Sequence, residues 1–300
     1  MNPLSIDLCG MHLSNPLILA SGILGVSGSI LKRLATDHGI GAVTTKSIGP
    51  EPRTGYLNPS IIEIEHDTYL NAVGLANPGI DEFVAEIPEA KVDGVPLIAS
   101  VFGETDEDYA MVAAKAEAAG VDAVELNISC PHAKVSSIGA DANLTNLVVS
   151  AVKTAVHLPV LVKLNPNVTN IVEIAKAAEA AGADAVVAIN TVRGMAIDIT
   201  IQKPILANKS GGVSGRALKP IAIKCVYDLY DNLNIPIIGC GGVFSGSDVI
   251  EFFLAGASAV QVGTAFIKGF GIIETMKNQM LDYLEFNDIA SIGDLKGKAH

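Results

Sequence analysis

The chain has 300 residues, nearly half of them hydrophobic and 17% charged, with a formal net charge of −12. That apolar content supports a sizeable core and excludes a disordered chain, while the acidic balance argues against a nucleic-acid or anionic-membrane surface and leaves an anionic small ligand open. No apolar run reaches the length of a membrane span, and Cys9, Cys130, Cys225 and Cys240 show neither CxxC pairing nor metal-ligand spacing, so no metal site is expected.

The opening MNPLSIDLCG has neither a basic nor an apolar leader region, which predicts a cytoplasmic protein with reduced thiols. SIDLCGMHLSNP reads as a small hairpin able to plug the bottom of a barrel. Strands are predicted near 17–20, 41–45, 97–101, 122–127, 159–163, 184–189, 236–239 and 258–262. Their continuous apolar runs suit strands buried on both faces, as in a parallel sheet. Helices are predicted over 105–119, 168–181, 217–231 and 245–255, from apolar spacing and, at the first, a Thr-x-Asp-Glu start. AAGVDAVEL, AAGADAVVAI and LAGASAVQVG repeat one design: a helix end, a glycine suited to its C-cap, a short turn and a buried strand. Residues 47–94, rich in Pro, Gly and Asn, form a long insertion after the second strand, and ordered insertions of that length usually carry function. Eight strands alternating with helices predict one (β/α)8 TIM barrel domain over 1–300; an open doubly wound sheet is disfavoured because no GxGxxG follows the first strand.

Chemistry in such a barrel gathers at the C-terminal strand ends. Those ends carry Ser21, Thr45 with Lys46, Ser100, Asn127 followed by Cys130, Lys163, Asn190 with Thr191, Gly241 with Gly242, and Gly263 with Thr264. With no carboxylate or histidine among them, metal-assisted hydrolysis and paired-carboxylate glycoside hydrolysis are disfavoured. GCGGV and QVGTAF, after strands seven and eight, and GGVSGRA before them let backbone N–H groups approach a phosphate. Asn71, Asn127 and Asn190 offer paired donors and acceptors for a ring edge bearing N–H and C=O groups. Lys46 and Lys163 would supply a local positive field in an acidic protein. Cys130 sits in ELNISCPHAK, where Pro131 ends the strand, and its thiol suits a base or a nucleophile. A Schiff base at Lys163, as in a lyase or aldolase, is the competing reading of these residues, and a non-catalytic flavin or nucleotide-binding subunit is a third.

NAVGLANPG, ELNISCP, VKLNPN, NTVRGMAID, GGVSGRALKPIA, IIGCGGVFSGSD and AVQVGTAF, in that order, closely resemble the class 1 dihydroorotate dehydrogenases, and NTVRGMAID resembles their type B. The dihydropyrimidine dehydrogenase barrel shares part of the set. The resemblance implies an FMN-containing barrel that oxidises dihydroorotate to orotate in de novo pyrimidine (UMP) biosynthesis. It implies that Cys130 takes the proton from C5 while N5 of the flavin accepts a hydride from C6. Lys46 then lies near both flavin and substrate, and Lys163 stabilises negative charge on the reduced flavin. Asn71, Ala72, Val73, Gly74, Leu75, Asn127, Asn190 and Thr191 match substrate-binding positions. Ser21, Thr45, Lys46, Ser100, Asn127, Lys163, Ile189, Gly215, Gly241, Gly242, Gly263 and Thr264 match the flavin contacts, the last four of Gly241 to Thr264 surrounding the phosphate. The resemblance also implies a homodimer of barrels and, for type B, a heterotetramer with a subunit that carries FAD and a [2Fe-2S] cluster and passes electrons to NAD. Type A relatives work alone with fumarate. The chain departs from the family pattern at Ser100, where an asparagine is usual, and in HAKVSSIGAD after Cys130-Pro131, which lacks the usual glycine-rich loop.

Overall fold

The computed structural model describes residues 2–25, 27–129 and 138–300. Strands β1 (Ile6–Leu8) and β2 (Met11–Leu13) pair antiparallel, with Ile6 opposite Leu13. Their two-residue turn, Cys9-Gly10, has both φ angles positive, which matches the right-handed twist of a hairpin. The barrel strands follow: β3 (Leu17–Leu19) and β4 (Val43–Thr44), and, after the inserted hairpin β5 (Ile61–Glu65) and β6 (Thr68–Asn71), strands β7 (Leu97–Val101), β8 (Ala123–Asn127), β9 (Val160–Lys163) and β10 (Ala185–Ala188). Four short strands come next, β11 (Val192–Gly194), β12 (Ile197–Asp198), β13 (Lys203–Pro204) and β14 (Gly211–Gly215). The last two barrel strands are β15 (Ile237–Cys240) and β16 (Ala259–Val262).

The parallel sheet has the order β3-β16-β15-β10-β9-β8-β7-β4. Its edges meet where Ile18 bridges Ala42 and the Leu19 N–H donates to the Ala42 carbonyl at 3.0 Å, which closes the ring. Every expected barrel strand is present, each boundary within two residues of expectation. Alternate residues face opposite ways along a strand, so the ring has two cores. Ile18, Ile98, Leu161, Val187 and Ile238 fill the axis together with Leu8, Met11 and Leu13 of the hairpin, which plugs the bottom as expected. Leu17, Leu19, Val124, Val162, Val186 and Val260 face outward into a second core.

Helices cover that outer face: α1 (Gly28–His38), the one-turn α2 (Ile80–Phe83) and α3 (Ile87–Ala90), then α4 (Asp106–Ala118), α5 (Ala142–Ala155), α6 (Ile171–Ala180), α7 (Lys219–Tyr230), α8 (Gly246–Leu254) and α9 (Ile272–Phe286). The helix start expected at Thr105 is a true capping box, but the residues there are Thr105-Asp106-Glu107-Asp108, and Thr105 exchanges hydrogen bonds with Asp108 rather than with a glutamate. The repeated glycines Gly120, Gly182 and Gly256 follow α4, α6 and α8 with positive φ, the conformation that turns each chain back into the next strand. No helix among the described residues is long and apolar enough to cross a membrane.

The insertion and the segment after β10 together build a second sheet that the sequence reading does not contain. Strands β11-β14-β6-β5 form an antiparallel four-stranded sheet over the mouth, with Asn71 opposite Gly212 and Thr68 opposite Gly215. GGVSG is therefore a strand whose glycines let two backbones pass closely: a Cβ on Gly215 would run into the Asp67 carbonyl. Asp67, at the tip of the β5–β6 hairpin, ties this sheet down. Its carboxylate is 2% exposed and lies 3.0 Å from Arg216 Nε, 2.6 Å from Lys268 Nζ and 3.4 Å from His66 Nε2. The Lys268 hydrogen bond, ahead of that from Arg216, holds the carboxyl below its ordinary range despite burial. A depressed carboxyl stabilises the docked hairpin at any pH above its ordinary value of 3.8, and that stabilisation disappears as pH falls through the lower folded value. Asp67→Asn should accordingly raise hydrogen exchange across residues 61–71 at pH 7 and leave the barrel strands protected; unchanged exchange there would show that the ion pairs do not hold the hairpin.

Candidate active site

Between the barrel mouth and this second sheet lies a cavity of about 920 Å³, large enough for a cofactor and a small substrate. Its charged border residues are Lys46, Lys163 and Arg193, and no carboxylate borders it among the described residues. Burial lowers the Lys46 pKa, because desolvation penalises the ammonium, and an anionic ligand beside it would offset that penalty.

Most of the expected site residues converge here. Ser21 and Lys46 come from the ends of β3 and β4, and Asn71, Ala72, Val73, Gly74 and Leu75 from the end of β6. Lys163 ends β9; Ile189, Asn190 and Thr191 follow β10; Gly215 ends β14. Gly241 and Gly242 follow β15, and Gly263 and Thr264 follow β16. Thr45, Ser100 and Asn127 are buried just behind the wall and do not border the cavity. Cys130 lies outside the described residues, one peptide bond beyond Ser129, which does border the cavity.

Asn127 works as the centre of a polar chain. Its amide nitrogen donates to Ser47 Oγ at 2.9 Å, and Ser47 Oγ lies 2.9 Å from Ser100 Oγ. Its amide oxygen accepts from Asn190 Nδ2 at 3.2 Å, and Asn190 Oδ1 accepts from the Thr191 N–H at 2.8 Å. Asn190 and Thr191 at the cavity wall are thus oriented from the buried side. Ser100, the departure from the family pattern, pairs with Ser47, a wall residue that the strand-end reading missed. The 71–75 loop is held the same way: Asn77 donates to the Leu75 carbonyl at 2.8 Å and accepts from the Gly79 N–H at 2.9 Å. Asn77, within the same NAVGLANPG motif, was the available signal for that loop.

Also bordering the cavity, Gly241 and Gly242 have φ of 129° and 72°. A Cβ on Gly242 would lie 2.6 Å from the backbone nitrogen of Lys219, the first residue of α7, so the turn needs glycine to pass beneath that helix. Gly263 and Thr264 open the adjacent turn. The two turns therefore lie side by side on the cavity wall, following the paired strands β15 and β16.

The floor holds a feature that strand-end counting missed. Two residues beyond the apolar inner layer the inward positions turn polar: Ser100 after Ile98, Glu125 after Ala123, Lys163 after Leu161, Cys240 after Ile238 and Gln261 after Ala259. Lys163 Nζ donates to Gln261 Oε1 and, at 3.1 Å, to Cys240 Sγ; Gln261 Nε2 donates to Glu125 Oε2 at 2.5 Å. Cys240 borders the cavity as a partner of Lys163. Glu125 was invisible because it sits mid-strand in an otherwise apolar run.

Residues 3–284 match the dihydroorotate dehydrogenase family model. A Methanocaldococcus jannaschii protein named dihydroorotate dehydrogenase B (NAD(+)), catalytic subunit, is 50% identical, covering 99% of this chain and 98% of its own. Proteins of the same name from Methanocella arvoryzae and Pyrococcus horikoshii are 51% and 48% identical, over 97% and 99% of this chain and 96% and 97% of theirs. The crystal structure of an Eimeria tenella dihydroorotate dehydrogenase in complex with ferulenol superposes with a TM-score of 0.87 at 23% identity, covering all of this chain and 89% of that one, a likeness of fold. With its motifs gathered at one mouth and its whole length matched, the chain belongs to the dihydroorotate dehydrogenase family, among its type B members.

Proposed function

We propose that the chain is the FMN-bearing catalytic subunit of a dihydroorotate dehydrogenase, oxidising dihydroorotate to orotate in pyrimidine biosynthesis. The observation that carries this reading is a cavity bordered by three cations and no described carboxylate, with an oriented amide chain and paired glycine turns on its wall. Both ligands are anionic, and an amide pair suits the alternating N–H and C=O edge of a pyrimidine.

The residues present fit FMN. Gly241, Gly242, Gly263 and Thr264 would hold its phosphate, with Ser21, Ile189, Gly215 and Lys163 along the rest. When bound, the flavin supplies the hydride acceptor. Everything else is done by the chain. Asn71 to Leu75, Asn190 and Thr191 position the substrate ring, backed by Asn127. Lys46 neutralises the substrate carboxylate, and Lys163 places positive charge where the electrons arrive. Cys130, following Ser129 at the rim, takes the C5 proton as its thiolate. A Schiff base at Lys163 is disfavoured, since its ammonium is already held by Gln261 and Cys240 and no described carboxylate is placed to shuttle protons.

The relatives' printed names make each of them an NAD(+)-dependent catalytic subunit. For this chain that supports a second, electron-transferring subunit carrying FAD and a [2Fe-2S] cluster, joined to a homodimer of barrels. Cysteine spacing within this chain suits no cluster, so the partner would bring its own.

Purified chain loaded with FMN should be yellow, and anaerobic dihydroorotate should bleach it without any added acceptor. A chain that takes up no FMN, or a bound flavin that dihydroorotate leaves oxidised, would overturn the reading. Cys130→Ser should bind FMN normally while its flavin-reduction rate at neutral pH falls about 10²–10⁴-fold, the usual contribution of a general base; an undiminished rate would remove Cys130 from the proton transfer.

A further inference from the structure

Glu125 is fully buried inside the barrel, its Oε2 held by the Gln261 amide and its Oε1 without a hydrogen-bond partner among the described residues. A buried carboxylate is costly unless an opposite charge balances it. No cation among the described residues touches it directly. The charged group linked to it is Lys163, 4% exposed, reached through one side chain: Gln261 Oε1 faces the ammonium and Gln261 Nε2 faces the carboxylate. These contacts permit one amide orientation. Rotated by half a turn, Gln261 would set its NH2 against the ammonium and its oxygen against the carboxylate.

The spacer has a consequence for the cavity. A direct ion pair would draw the ammonium down to Glu125 and cancel most of its field. With Gln261 between them, Lys163 Nζ stays at the floor, where both residues border the cavity. An ammonium has three N–H donors; two are engaged by Gln261 and Cys240, which leaves one for a ligand above.

We propose that Glu125 is a positioning residue: the buried counter-charge of Lys163, coupled to it through Gln261, which tempers the positive field at the cavity floor and so keeps the flavin's reduction potential low. The effect on the flavin rests on the FMN reading above; the charge pair itself does not. An anionic reduced flavin gains from Lys163 and loses from Glu125, whereas the neutral oxidised ring feels both far less.

Two measurements test it. In the flavin-free chain, melting temperatures of Glu125→Gln, Lys163→Met and the double variant form a cycle. Each single change leaves one buried charge unbalanced and the double change leaves none. The double variant should therefore melt above Lys163→Met alone, and strictly additive losses would overturn the pair. In the FMN-loaded chain, the isosteric Glu125→Gln keeps an acceptor for Gln261 and removes the charge. It should favour reduced over oxidised FMN by about tenfold, which for a two-electron couple is a rise of about 30 mV in midpoint potential. An unmoved or lowered potential would overturn the tuning role. A wild-type chain that binds no flavin would instead sink the FMN reading, and the melting cycle would still decide the pair. Should Glu125→Gln alone fail to fold, the comparison of Lys163→Met with the double variant reads the same coupling.

Discussion

Closure of the eight-stranded ring at Ile18 and Ala42 is the constraint on which the other features depend. In a closed ring every second side chain points at the axis, and inward positions of neighbouring strands stack into layers. One layer, sealed from below by Leu8, Met11 and Leu13, is apolar and carries packing. The next holds Ser100, Glu125, Lys163, Cys240 and Gln261, and above it the strands end. Burial of this polar layer excludes water on all sides but one. Its hydrogen bonds must therefore be completed among its own members or by a ligand at the mouth.

That requirement explains why the cavity wall is oriented from behind. Asn190 and Thr191 are placed by Asn127, which is placed in turn by Ser47 and Ser100. Apart from the adjacent Asn190 and Thr191, neighbours along this chain belong to different strands or strand-end loops, so a movement of one strand would misplace several ligand-facing groups together. Rigidity at the wall follows from the ring and needs no separate device. The roof is built differently. It consists of β5, β6, β11 and β14, joined to the rim through Asp67, Arg216 and Lys268. Ion pairs at a rim are weaker and more responsive to conditions than a packed strand, which makes the roof the more adaptable side of the cavity.

The same contrast accounts for what the sequence disclosed. Barrel strands such as LPVLVKL and IPIIGCG were legible because burial on both faces demands continuous apolar runs, and prolines and glycines bracket them. The hairpin plug was legible for a similar reason. The second sheet was not: β14 is mostly glycine, and its partner β6 lies about 140 residues earlier, so neither composition nor period announces the pairing. Ser47 and Asn77 were missed because neither ends a strand and each acts through another residue, Ser47 on the Asn127 amide and Asn77 on the Leu75 carbonyl. Glu125 and Gln261 were missed because attention to strand ends passes over a polar residue in mid-strand, where the ring geometry alone gives it a role. Motif order, by contrast, carried the family through to the full-length match.

The charge distribution completes the picture. A chain of net charge −12 would seem a poor host for anions. Distance and dielectric decide otherwise. A unit charge 4 Å from a ligand in a partly buried site contributes about 4 kcal/mol, whereas exposed charges separated by more than about 8 Å of saline are largely screened. Lys46, Lys163 and Arg193 border the cavity, and the surface carboxylates paired with Lys91, Lys115, Lys153 and Lys224 do not. The acidic surface then serves solubility while the cavity stays locally positive. Among the described residues Glu125 is the one carboxylate beneath the floor linked to a cavity cation, and it is set one amide away from that cation, close enough to balance it and too far to remove it from the cavity floor.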